Sequence, residues 1–94
     1  MKRLDKAIAD NDHVYATITG SSINSNGRGI SLTTPEGDMQ EEVIRHAYSL
    51  AKRQLSDSFF VELHVTGTPT GDPIEVNTAA RIFSVGRDSD NFLR

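Results

Sequence analysis

The residues best equipped for chemistry lie in one run, Val61-Glu62-Leu63-His64-Val65-Thr66-Gly67-Thr68, where a histidine is followed at two and four positions by threonines. An imidazole is suited to proton transfer or to hydrogen-bonding developing negative charge, and each threonine hydroxyl can donate or accept. The turn-rich Thr66 to Gly71 comes next, and Asp72-Pro73-Ile74-Glu75 then reads as the start of a helix with Pro73 at its first position. Free N–H groups around Pro73 to Glu75 would favour an anion. The stretch lacks the lysine and the glycine spacing of a phosphate-binding P-loop. On residues alone His64 reads more readily as a structural strand histidine than as a catalytic group, and Asp72 and Glu75 read as helix caps rather than catalytic acids.

The elements that must position this run follow from periodicity. Leu4, Ala7 and Ile8 predict a short helix over Lys2 to Asp10, broken at Asn11-Asp12. Val14, Ala16 and Ile18 alternate with Thr17 and Thr19, so Val14 to Ile23 predicts a strand. Glycine, asparagine and proline punctuate 24–37, which predicts a long loop anchored by Ile30 and Leu32. Asp38 and Glu41 fit a capping box, and Val43, Ile44, Ala47, Leu50, Ala51 and Leu55 form one helical stripe ended by Ser56-Asp57-Ser58. Phe59 to Val65 predicts a second strand, with Phe59, Val61, Leu63 and Val65 on one face and Phe60, Glu62 and His64 on the other. That strand would deliver His64 at its C-terminal end, where ligands bind in open α/β sheets. Ile74, Ala79, Ile82 and Phe83 line the last helix, and Gly86 stops it. The order helix, strand, loop, helix, strand, helix predicts an α/β class with a parallel crossover, organised as one segment over 1–86 and a loose tail over 87–94. His13 is expected in a turn and His46 on the surface.

Composition narrows the function classes. With 94 residues and 36% apolar content the chain is one small domain at most, and an isolated fold is marginal. The absence of cysteine excludes disulfides, thiolate metal sites and a cysteine nucleophile within it. A net charge of -3 and scattered lysines and arginines argue against nucleic acid, and no apolar stretch is long enough for a membrane. A cytoplasmic protein is the expectation.

Three segments, in order, resemble β-ketoacyl synthases, especially the type I kind of polyketide and fatty acid synthases. Val61-Glu62-Leu63-His64-Val65-Thr66-Gly67-Thr68-Pro69-Thr70-Gly71-Asp72-Pro73-Ile74-Glu75 is similar to the family's VEAHGTGTxxGDPIE signature. Asn24-Ser25-Asn26-Gly27, Leu32-Thr33-Thr34-Pro35-Glu36-Gly37 and Gln40-Glu41-Glu42-Val43-Ile44-Arg45 are similar to a second family stretch, and Lys2 to Asp10 to a third.

The resemblance implies a partial thiolase-like fold, an excerpt bridging the two related halves. It implies decarboxylative Claisen condensation, in which a cysteine carries the acyl chain and two histidines promote loss of carbon dioxide from a malonyl-type extender. His64 matches the first of those histidines, and Thr66 and Thr68 match residues that hydrogen-bond the phosphopantetheine arm of an acyl carrier protein. No bound cofactor or metal is implied. The implied partners are the acyl carrier protein with its thioesters, the rest of the ketosynthase domain and a second copy as a homodimer. The family's cysteine belongs upstream of Lys2, and its second histidine and a lysine belong downstream, so the 94 residues are expected to be inactive alone. The alternatives are a non-catalytic pantetheine- or anion-binding module and a degenerate remnant. One departure bears on geometry: Val65 stands where the family has glycine. If that position needs a special backbone conformation, valine displaces the imidazole; if it is ordinary extended strand, valine is harmless.

Overall fold

The computed structural model describes residues 1–25, 37–87 and 93. Three helices run in chain order: α1 Leu4–Ala9, α2 Gly37–Ala51 and α3 Gly71–Phe83, with a single 3-10 turn at Leu55–Asp57 between the last two. Most of the expected loop, including Ile30 and Leu32, lies outside the described residues.

Two helices end in the same way. Asn11 has φ 56° and Lys52 φ 54°. Behind each left-handed residue the amides fold back in a Schellman arrangement: Asp12 N donates to Ala7 O and Asn11 N to Ile8 O, while Arg53 N donates to Tyr48 O and Lys52 N to Ser49 O. Asn11 thus ends α1, in line with its sequence. The end of α2 comes earlier than the apolar stripe implies, since the stripe runs on to Leu55. Leu55 still reaches the core, carried there by the 3-10 turn.

The core is small and centred on α3. Ala79, Ile82 and Phe83 are buried, and Ile44, Tyr48, Leu55, Val61, Leu63 and Leu93 pack around them. Tyr48 and Phe83 meet edge to face with ring centroids 5.7 Å apart. The stripe of α2 serves two neighbours: Ile44 and Tyr48 turn to α3, while Ala47 and Ala51 lie under Gly20. A Cβ built on Gly20 would come within 2.3 Å of Ala47 O and 3.0 Å of Ala51 Cβ, so only glycine allows that approach. Arg87, at the start of the expected tail, donates to Phe83 O, Leu55 O and Ser58 O and so ties the end of α3 to the 3-10 turn.

Neither expected strand forms. Among the described residues none pairs into a β-ladder, and both Val14 to Ile23 and Phe59 to Val65 lack regular secondary structure. The period of two survives only in part: Val61 and Leu63 are half-buried while Glu62 and His64 are exposed. Phe59 and Phe60 are both exposed, as is Val65, so the face pattern fails at its ends. The physical reason is that a strand is completed by a neighbour, and β-forming side chains cannot supply the missing hydrogen-bonding edge. The Cα radius of gyration is 16.1 Å, against about 12 Å expected of a compact chain of this length. Tyr15, Ile18, Ile23, Phe59 and Phe60 are left open to solvent. No helix among the described residues is long and apolar enough to cross a membrane.

Candidate functional site

The segment 64–68 is held against the start of α3 by two carboxylates. Glu75 accepts from His64 N at 2.7 Å and from Val65 N at 3.1 Å, one bond to each oxygen. Asp72 accepts from Gly67 N at 2.9 Å, from Thr68 N at 3.1 Å and from the Thr68 hydroxyl at 3.2 Å. Four of five consecutive backbone amides therefore end on side chains of one helix. Hydrogen bonds to an ionised acceptor are stronger than neutral ones. Asp72, in the first turn of α3, also lies at the positive end of the helix dipole.

This arrangement corrects the capping expectation. Thr70 occupies the N-cap of α3 and makes no side-chain cap bond, and the helix begins at Gly71. Asp72 and Glu75 sit inside the helix and reach back to the preceding loop. In α2, which begins at Gly37, Asp38 lies inside the helix, and Glu41 pairs with Arg45 at 2.7 Å and with Arg81 of α3 at 2.7 Å, fastening the two helices together.

The loop conformation is unusual at two positions. Val65 has φ 33° and Gly67 φ 89°. Of the two possibilities left open for Val65, the extended one is excluded. A β-branched residue here occupies the left-handed region that glycine enters without strain.

Each residue expected at the site can now be placed. His64 is exposed, anchored through its backbone amide, and its ring bonds to no described residue. Thr66 is exposed and its hydroxyl is free among the described residues. Thr68 is exposed, with its hydroxyl proton directed to Asp72. The loop thus brings all three onto one clamped, solvent-facing turn. Of the other histidines, His13 meets Tyr15 edge to face at 4.5 Å, and His46 Nδ1 lies 2.8 Å from the Ser22 hydroxyl. The His46–Ser22 contact joins α2 to residue 22 across a wide sequence gap, so no local pattern announces it. Among the described residues no group of three or more histidine, aspartate or glutamate side chains could hold a metal. A cleft of about 820 Å³ lies between α1, Val14 to Thr19 and Ala51, and His64 does not line it.

Comparison with known proteins gives a consistent result. A family model described as beta-ketoacyl synthase, C-terminal domain, matches residues 15–93. A highly reducing polyketide synthase of Leptosphaeria maculans is 44% identical over 87 residues, covering 93% of this chain and 3% of the relative. A hybrid polyketide–nonribosomal peptide synthetase of Aspergillus niger is 47% identical over 88 residues, covering 94% of this chain and 5% of the relative. Among solved structures, the ketosynthase from module 6 of the Bacillus subtilis bacillaene synthase superposes with a TM-score of 0.84 at 38% identity, covering 94% of this chain and 16% of that one. An oxazolomycin ketosynthase domain of Streptomyces albus superposes with a TM-score of 0.81 at 34% identity, covering 93% and 15%. The chain therefore follows a thiolase-like ketosynthase fold over a small share of the length of each relative.

Proposed function

This chain belongs to the β-ketoacyl synthase family, and from that membership we propose that it supplies the histidine-bearing loop of a polyketide-synthase ketosynthase. The observation that carries the reading is the clamp: Asp72 and Glu75 hold the backbone of 64–68 and leave His64 and Thr66 exposed on it.

In this reading a cysteine outside these 94 residues holds the growing acyl chain as a thioester. An acyl carrier protein presents a malonyl-type extender on its phosphopantetheine arm. The bond between the extender's carboxylate and its α-carbon breaks, carbon dioxide leaves, and the electron pair is delocalised onto the thioester oxygen. The His64 imidazole donates an N–H to that oxygen, an interaction stronger in the transition state than in the ground state. The enolate carbon then attacks the acyl thioester, and the cysteine thiolate departs. Thr66 and Thr68 hold the arm.

The finer topology belongs to the same proposal. Val14 to Ile23 and the run from Phe59 up to the left-handed Val65 become parallel strands, crossing over through α2, once the remainder of a ketosynthase pairs with their edges. The exposed Tyr15, Ile18, Phe59 and Phe60 support this, because they are the side chains such a neighbour would cover. A second ketosynthase copy completes the assembly as a homodimer.

The decisive experiment places His64→Ala in a complete ketosynthase carrying this segment. Acylation of the cysteine is expected to survive, while carbon dioxide release from malonyl carrier protein falls at least about 100-fold, the scale of losing one positioned donor. Undiminished release would overturn the assignment. The 94-residue chain by itself is expected to release none, and measurable release from it would overturn the dependence on groups outside it.

A further inference from the structure

Val65 is the one β-branched residue at positive φ among the described residues, and the other two non-glycine residues there, Asn11 and Lys52, end helices. Val65 ends none. Val65 is 45% exposed, so packing does not hold it in place. The visible restraint is Glu75, whose two oxygens take the amides of His64 and Val65 and fix the peptide plane between them. Beyond Val65, Asp72 fixes Gly67 and Thr68 in the same manner.

We infer that Val65 is a strained positioning residue, driven into the left-handed region by the Glu75 clamp, and that the 64–68 loop is thereby balanced between a clamped and a relaxed form. In the clamped form the backbone of His64 is fixed and its ring direction is set. In the relaxed form Val65 returns to the extended region it prefers, the two amides leave Glu75, and His64 turns with them. The strain opposes the clamp within a single peptide unit, so a change at either end shifts the balance. This inference rests on the backbone geometry and does not depend on the ketosynthase reading.

The test is a set of substitutions in the 94-residue chain, followed by urea unfolding and by NMR of the His64 ring and the loop amides. Val65→Gly and Val65→Asn tolerate positive φ, so each is expected to raise the folding constant several-fold, toward about tenfold, the lower range of strain at such positions. Val65→Ala keeps the unfavourable φ and is expected to give less than half of that gain. The His64 ring resonances are expected to shift and sharpen in the glycine and asparagine variants, a change that simple loss of a side chain would not produce. In a Glu75→Gln background the gain from Val65→Gly is expected to fall below about twofold, since the imposed restraint is weakened. No gain with glycine, an equal gain with alanine, unmoved His64 resonances or an undiminished gain in the Glu75→Gln background would each overturn the inference. A chain with no cooperative transition in any variant would overturn it too, because the clamp would then be holding nothing.

Discussion

Thr68 gives Asp72 two hydrogen bonds, from its backbone amide at 3.1 Å and from its hydroxyl at 3.2 Å, both to the same carboxylate oxygen. The hydroxyl has a single proton, and that proton is directed to Asp72, so toward any ligand Thr68 can only accept. Thr66 keeps its proton. Toward a ligand Thr66 can therefore donate or accept, whereas Thr68 can only accept. Thr66→Val is expected to leave stability within about 0.5 kcal/mol, the range of an ordinary surface change, while weakening phosphopantetheine binding. Thr68→Val is expected to lower stability by about 1 kcal/mol as well. Urea unfolding and an NMR titration with phosphopantetheine separate the two, and equal stability losses would contradict the assigned polarity.

Asp72 should matter to the loop more than to the helix. Replacing it with asparagine removes the charge from three hydrogen bonds at once, an expected loss of about 1–3 kcal/mol. Amide exchange reports where the loss falls. Gly67 and Thr68 are expected to lose protection first, ahead of the centre of α3. Uniform loss along the helix would point to capping instead.

Glu41 joins α2 to α3 through Arg81 and pairs within α2 with Arg45, with its side chain 25% exposed and the arginines about half exposed. Arg81→Ala is expected to cost about 0.5–1 kcal/mol, and the cost should shrink in concentrated salt. Unfolding of both forms at two salt concentrations measures it. A salt-independent loss would assign the effect to packing of the arginine stem.

The Lys2 ammonium is held above its usual 10.5 by hydrogen bonds to Asp10 first and Asp12 second. A raised lysine contributes its stabilisation fully below the unfolded value of 10.5 and loses it as pH climbs through the higher folded value. Since Lys2 is open to solvent, the effect is local. Helix α1 is expected to fray above pH 10.5 in the parent chain and to show no such step in Lys2→Met, as followed by NMR of the Ala7 and Ile8 signals.

Ile82 is the largest fully buried side chain, at 1% exposure. Ile82→Ala is expected to cost about 2–5 kcal/mol. With so little else buried, that loss should abolish cooperative unfolding of the isolated chain, and a retained transition in circular dichroism would show that the core extends beyond the α3 cluster.

The family and the site loop were legible from residues alone, because His64, Thr66, Thr68, Asp72 and Glu75 keep a fixed spacing and each is a chemically distinctive side chain. Helices α1, α2 and α3 were legible for a related reason: a helix closes its hydrogen bonds within its own segment, so periodicity and local stop residues suffice to place it. The strands were not, since Val14 to Ile23 and Phe59 to Val65 carry the right side chains but a ladder depends on a second backbone. Nor were the partners of Asp72 and Glu75. In sequence both fit helix caps, and only the path of 64–68 across the start of α3 turns them into a clamp on the histidine loop. The φ of Val65 belongs to the same class of fact: sequence determined that valine occupies the position, and tertiary structure decided that it must be left-handed, because Glu75, ten residues away, holds its amide.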